Sequence, residues 1–315
     1  MKHLLKMADL SKKDIENMLD LADKLKYEKK HNITHHILKG QSLGMLFRKS
    51  STRTRVSFEV GMYDLGGNAL FLSPRDLQIG RGESVKDTAR VFSRFLDGLM
   101  IRTFEQSEVE AFANYGSIPV INGLTDYCHP CQVLADLLTI KEHKGTLKGL
   151  KLAYLGDGNN MANSLLYGCT KVGMNISVAS PEKYTCPSEV IENAKNTAKE
   201  TGVTVEITTD AKSAIKDADV VYTDTWISMG QEDQKAEKIK LFGGYQVNKE
   251  LFSLAKDDAI FLHCLPAYRG YEVTEDVIDG KNSVIFDEAE NRLHAQKAVM
   301  ALLMGKEKTV EKYLK

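Results

Sequence analysis

Six consecutive residues, Ser50-Ser51-Thr52-Arg53-Thr54-Arg55, stand between the apolar run Leu43 to Phe47 and the amphipathic run Val56 to Leu65. A strand followed by a helix places such a cluster at a helix N-terminus, where unpaired backbone N–H groups and the positive end of the helix dipole point outward. Hydroxyls add hydrogen bonds and a guanidinium adds a bidentate fork, so the cluster fits a phosphate group in both geometry and charge. Capping is the simpler alternative. One Ser or Thr supplies a cap worth about 1 kcal/mol, and that task does not call for two arginines among the hydroxyls.

Three further constellations follow apolar runs. Tyr127-Cys128-His129-Pro130-Cys131-Gln132 contains a Cys-x-x-Cys, which suggests thiol redox chemistry or half of a zinc site; the remaining two ligands at usable spacing are missing. The other reading has Pro130 opening a helix whose first turn carries His129 and Gln132 toward a cleft. His263-Cys264-Leu265-Pro266 follows the run AIFL and therefore stands at the carboxyl end of a strand, where open α/β sheets bind ligands; Cys264 is either part of a site or a small buried hydrophobe. Asp224-Thr225-Trp226-Ile227-Ser228-Met229-Gly230 follows DADVVYT, and a carboxylate at the base of a Gly-ended loop can seat a cationic amine. Gly156-Asp157-Gly158-Asn159-Asn160 imitates a dinucleotide fingerprint but has Met161 in place of the third glycine, which speaks against NAD and leaves Asn160 available to another ligand.

The elements that must carry these residues alternate. Apolar runs near Leu43 to Phe47, Ala69 to Leu72, Leu99 to Arg102 and Val120 to Asn122 read as strands with helical patterns between them. A second series runs through Lys151 to Leu155, Ile176 to Ala179, Val203 to Ile207, Val220 to Thr223, Ile260 to His263 and Val284 to Phe286. Ile15, Met18, Leu19, Ala22 and Leu25 form one stripe of an opening helix capped by Ser11, with Asp14 three residues on. The expected fold is α/β, with two doubly wound domains, parallel sheets, helices joining them and a site in the cleft between domains. The charged, Gly-marked stretch at 142 to 149 sets the junction: one domain over 1–145 and another over 146–315, with a terminal helix at about 290–315 free to pack back on the first.

Composition narrows the function. The 315 residues hold 42 Lys and Arg against 43 Asp and Glu, a net charge of −1, so nothing draws the whole chain to nucleic acid or anionic membrane and any phosphate site must be local. Charges interrupt the opening MKHLLKMADLSKKD too often for a signal-peptide core, and no apolar run approaches the roughly 18 residues that span a bilayer. A cytoplasmic location with reduced thiols is expected of the five cysteines.

Taken together, FRKSSTRTRVSFEVGMYDLGG, HPCQ, GDGNN, the D-T-W-I-S-M-G loop, HCLPAYRG and Glu288-Ala289-Glu290-Asn291-Arg292 resemble the aspartate/ornithine carbamoyltransferases over almost the whole chain. The STRTR and HPxQ motifs are general to carbamoyltransferases; the SMG loop with HCLP resembles the ornithine branch. One departure is Arg48, where that family commonly has an acidic residue. The resemblance implies transfer of the carbamoyl group of carbamoyl phosphate to the δ-amine of L-ornithine, giving L-citrulline and phosphate in arginine metabolism, with no metal and no cofactor. It implies that the first domain binds carbamoyl phosphate and the second ornithine. Ser51, Thr52, Arg53 and Thr54 would hold the phosphate; Arg102, His129 and Gln132 the carbamoyl end; Cys264, Leu265 and Arg292 would close over the carbamoyl group, and Arg102, His129 and Cys264 would be the catalytic set. Asn160, Asp224, Ser228 and Met229 would receive ornithine. The implied partner is another copy of the chain, in a trimer or a multiple of trimers, with Gln78 donated to a neighbour's site. The alternatives are another amine such as putrescine, or a zinc or redox module on Cys128 and Cys131.

Overall fold

The structure, a computed structural model, describes residues 1–227, 230 and 232–314. The chain forms two compact units, Met1–Leu138 with Glu290–Lys315, and Thr139–Ala289. The break falls between Leu138 and Thr139, inside the helix Pro130–Lys144 and ahead of the charged stretch at 142–149, whose first three residues are still helical because the apolar run from Val133 to Ile140 carries the helix into it.

In the first unit, α1 (Lys12–Lys30) precedes β1 (Ser42–Phe47), α2 (Thr52–Asp64), β2 (Asn68–Leu72), α3 (Val85–Phe95), β3 (Gly98–Arg102), α4 (Gln106–Tyr115) and β4 (Val120–Leu124), and α5 (Pro130–Lys144) leads out of it. A capping box starts α1: the Ser11 hydroxyl accepts from the Asp14 N–H at 3.1 Å while Asp14 accepts from the Ser11 N–H at 2.9 Å. The stripe from Ile15 to Leu25 is buried, as its spacing requires. The four strands are parallel in the order β2-β1-β3-β4, so the chain reverses its direction of travel between β1 and β3. Phe47 pairs with Arg102, which aligns the carboxyl ends of the two strands on either side of that switch. Leu46, Leu99, Ile101, Val109, Phe112 and Val120 belong to one core.

In the second unit, β5 (Lys151–Leu155), α6 (Asn160–Val172), β6 (Asn175–Ala179), α7 (Ser188–Thr201), β7 (Val205–Thr208), α8 (Ala211–Ile215), β8 (Val220–Thr223), α9 (Lys235–Phe242), α10 (Lys249–Phe252), β9 (Ile260–Leu262) and α11 (Glu275–Ile278) follow in order. This parallel sheet is ordered β7-β6-β5-β8-β9, with its switch between β5 and β8. Ala153, Leu155, Val221, Phe261 and Val277 share its core. Both sheets are doubly wound and parallel, and open sheets of this type bind ligands beyond the carboxyl ends of the strands at the switch.

The chain ends in α12 (Ile285–Met304) and α13 (Glu307–Leu314). Here the expected strand Val284 to Phe286 is corrected. Val284 gives one strand-like bond, its N–H to the Phe261 carbonyl at 3.0 Å, and α12 then begins at Ile285 with Asp287 and Glu288 in its first turn. Three β-favouring residues do not outweigh acidic residues placed to complement a helix N-terminus. Among the described residues no helix is long and apolar enough to cross a membrane.

Candidate active site

In the first unit, the loop after β1 delivers Ser51 as the N-cap of α2, its hydroxyl accepting from the Thr54 N–H at 3.1 Å. Thr52 is exposed at the first helical position, Arg53 is half-buried, and Thr54 is buried. The Thr54 hydroxyl accepts from Arg102 Nη1 at 3.3 Å and from Arg292 Nη2 at 3.0 Å. Thus the last residue of β3 and a residue of α12 meet on the first turn of α2. Arg292 also donates to Gln132 Oε1 at 2.6 Å and to Gln296 Oε1 at 2.8 and 3.0 Å; Gln132 in turn donates to Asp136 at 2.8 Å. Arg55 takes no part. It turns outward to Glu59 at 3.0 Å and lies over the Phe71 ring.

Pro130 opens α5 and places His129 just before it, buried. Burial first, then the positive charges of Arg292, Arg102 and Arg53, hold this imidazole well below its usual pKa, so it is neutral at pH 7 and offers one N–H. The cluster therefore presents guanidinium and imidazole N–H groups in a buried setting, which suits an anion whose charge grows during reaction. Gln78 is apart from it: the residue is exposed on the 3-10 turn Gln78–Arg81, and among the described residues no side-chain hydrogen bond ties it to Thr54, Arg102 or Arg292. Arg48 lies beside the cluster. Its backbone N–H donates to the Arg102 carbonyl at 2.8 Å, and its guanidinium grips Glu108 from Nε at 2.7 Å and from Nη2 at 2.6 Å.

Cys128 and Cys131 are buried, and burial pushes both thiols up to about 12. A thiol of that pKa is protonated at pH 7 and is neither a nucleophile nor a ready metal ligand. Cys128 spends its Sγ–H on the Leu5 carbonyl and Gln106, and Cys131 on the Asn122 carbonyl, each at 3.4 Å. The zinc or redox module finds no support in this environment.

In the second unit, the loops after β5, β8 and β9 converge. Asp224, buried just beyond β8, accepts from the Thr225 N–H at 2.7 Å and from Cys264 Sγ at 3.0 Å on Oδ1, and from Asn159 Nδ2 at 2.8 Å on Oδ2. Asn160 is the first residue of α6 and half-buried. Gly158 is dictated by space: a Cβ there would lie 2.4 Å from the backbone N of Cys186. Trp226 packs on the Phe242 ring at 5.7 Å and is part of the hydrophobic support. Ser228 and Met229 lie outside the described residues.

Sequence reasoning missed the groups that hold the Cys264 loop. His263 Nδ1 accepts from the Leu265 N–H at 2.9 Å, which makes Nε2 the protonated nitrogen, and Nε2 faces the buried Glu272 carboxylate at 3.2 Å. Glu288 accepts from the His263 N–H at 2.8 Å and from the Tyr222 hydroxyl at 3.1 Å. Leu265, bound in this way, adopts a left-handed φ of +55°, a conformation that costs a side-chain-bearing residue on the order of 1 kcal/mol or more and persists only when its surroundings impose it. Glu288 is the first residue of the EAENR motif, so a signal existed; Glu272 has no periodicity linking it to His263. Asp224, His263 and Cys264 ligand atoms lie within 4.8 Å of one another, a spacing that would admit a metal, but both His263 nitrogens are already engaged.

Comparison with known proteins bears on both halves. The model of the aspartate/ornithine carbamoyltransferase carbamoyl-P binding domain matches residues 2–142, and that of the Asp/Orn binding domain of the same family matches residues 148–303. The chain belongs to the aspartate/ornithine carbamoyltransferase family. Within this family, an ornithine carbamoyltransferase of Caldicellulosiruptor saccharolyticus is 58% identical over 303 residues, covering 96% of this chain and 98% of that one. The solved ornithine carbamoyltransferase of Pyrococcus furiosus superposes with a TM-score of 0.94 at 52% identity, covering 96% of this chain and 97% of that one. An anabolic ornithine carbamoyltransferase structure from Campylobacter jejuni gives 0.90 at 45% identity, covering 96% and 99%. Thr54 and Arg102 fall in the part matched by the carbamoyl-P model, whereas Arg292, which joins them from α12, and the Asp224 cluster fall in the part matched by the Asp/Orn model.

Proposed function

We propose that the chain transfers the carbamoyl group of carbamoyl phosphate to the δ-amine of L-ornithine, giving L-citrulline and phosphate. The observation that carries this reading is the meeting of Arg102 and Arg292 on the buried Thr54 hydroxyl, beside a histidine kept neutral by burial and by those same cations. Ser51, Thr52, Arg53 and Thr54 are assigned to the phosphate, and Arg102, His129, Gln132 and Arg292 to the carbamoyl end. Asn160, Asp224, Ser228 and Met229 are assigned to the amino acid, with Asp224 receiving the α-ammonium, and Cys264 and Leu265 to the reacting group.

Only a neutral amine attacks the carbamoyl carbon. An alkyl ammonium titrates near 10.4, so at pH 7 the neutral form costs about 3.4 pK units, or roughly 4.6 kcal/mol. The tetrahedral intermediate then carries an oxyanion, which the Arg102 and His129 N–H groups are assigned to receive before phosphate leaves. Reaction needs both ligands bound at once, which makes the kinetics sequential. The same proposal places Gln78 in the site of a neighbouring copy within a trimer; support comes from its exposure and from the edge strand β2, where Leu70 and Phe71 are each 41% exposed. It also places the reaction in arginine biosynthesis in the cytoplasm, the first of these supported by the anabolic relative from Campylobacter jejuni.

The test is phosphate release from carbamoyl phosphate with ornithine or putrescine as acceptor. Ornithine is expected to be preferred by at least a hundredfold in kcat/KM, since putrescine lacks the α-ammonium that Asp224 would hold. Equal rates would transfer the assignment to another amine.

A further inference from the structure

The side-chain amide of Asn159 is engaged at both ends. Its Oδ1 accepts from the backbone N–H groups of Met161 at 2.9 Å and Ala162 at 3.3 Å, which caps α6, and from the Tyr154 hydroxyl at 3.2 Å. Its Nδ2 donates to Asp224 Oδ2 at 2.8 Å. Flipping the amide would set its NH2 against two N–H donors and its oxygen against a carboxylate, so only this orientation satisfies every partner. β5 and β8 are adjacent, with Leu155 paired to Thr223, and the amide spans the switch point between the loops that leave them.

We propose that Asn159 is a positioning residue for the amino-acid substrate: while capping α6 it fixes the carboxylate of Asp224 in the orientation that receives the α-ammonium. This rests on the assignment of ornithine to Asp224. Asp224 reaches its place from one side through Thr225 and Cys264, both on Oδ1; Asn159 alone in this set holds Oδ2, and it is itself rigid because the helix terminus holds its oxygen. The cap and the substrate-binding carboxylate are thereby one connected unit, and the start of α6 sets the height of Asp224 above the sheet.

The two roles separate by substitution in the full-length enzyme. Serine caps a helix about as well as asparagine, but its hydroxyl is too short to reach Asp224. Asn159→Ser therefore keeps the cap and loses the donor, whereas Asn159→Ala loses both. A charge-assisted hydrogen bond lost from a binding site predicts that both variants raise the ornithine KM by about tenfold to a hundredfold, with a smaller fall in kcat, while the Kd of inorganic phosphate stays within twofold of wild type. The alanine variant, which loses the cap as well as the donor, should unfold at a lower temperature than the serine variant. An Asn159→Ser enzyme with a wild-type ornithine KM overturns the proposal and leaves Asn159 a helix cap. If the serine variant does not fold, Asn159→Thr decides, because threonine also caps a helix and its hydroxyl is likewise too short to reach Asp224: an ornithine KM raised tenfold or more supports positioning, and an unchanged one overturns it. Should wild type form no citrulline, the functional reading fails and takes this proposal with it; a wild-type enzyme that forms citrulline beside an unaffected serine variant removes the role of Asn159 alone.

Discussion

Replacing Arg102 with alanine removes one guanidinium from the proposed oxyanion site while sparing the rest of the cluster. Arg292 would still hold Thr54 at 3.0 Å and Gln132 at 2.6 Å, so the residues assigned to the phosphate stay in place. His129 would stay neutral, since burial rather than Arg102 is the leading cause of its lowered pKa, and would remain as the second donor. The loss is then one buried donor to a developing oxyanion, about 3 to 4 kcal/mol, or a fall in kcat of roughly 10² to 10³. Folding should be little affected, because three arginines act on His129 together and removing one eases their mutual repulsion. The assay is citrulline formation at saturating carbamoyl phosphate and ornithine, with thermal unfolding as the control. A folded Arg102→Ala enzyme within threefold of wild-type kcat would refute the oxyanion assignment.

Other outcomes follow from the same geometry. Turnover with saturating ornithine should climb from pH 6 to pH 9 as the bound amine deprotonates, because His129 is already neutral below this range; a flat profile with chemistry rate-limiting would contradict it. Folding stability should fall on acidification. Burial, assisted by Lys297, outweighs the Glu28 carboxylate 2.9 Å from Nδ1 and pushes His35 down to about 4, so between pH 6.5 and 4 the unfolded chain takes up a proton that the folded one refuses; stability is full above 6.5 and lost on going down, and His35→Gln should flatten that slope in urea unfolding. Arg48→Glu would set two carboxylates face to face at Glu108, costing about 1 to 3 kcal/mol, and the charge-swapped pair Arg48→Glu with Glu108→Arg should recover most of it in unfolding measurements.

The fold was legible wherever one period dominated. Apolar runs bounded by turns marked both sheets, since strands buried on two faces read as unbroken hydrophobic stretches, and Ser11 with Asp14 marked the first helix to the residue. Val284 to Phe286 failed because a run of three apolar residues fits a strand or a helix start equally well, and the acidic residues after it decide. In the site, residues next to strand ends were readable from position alone. Asn159 was not: it stands one residue before Asn160, and which of two adjacent asparagines caps a helix depends on where the first turn closes. Arg48 departs from the family pattern in charge but has an acidic partner in Glu108, a compensation visible only once α4 lies beside the end of β1. Glu272 escaped notice because its bond to His263 depends on the path of an irregular loop.

The most direct measurement supplies carbamoyl phosphate labelled with ¹³C at the carbonyl, together with ornithine and the full-length protein, and follows the label by NMR. The account predicts that the carbonyl label appears in citrulline in step with phosphate release, and that neither occurs without an acceptor amine. Label lost as carbon dioxide with ornithine unchanged, or phosphate released at the same rate without ornithine, would contradict it.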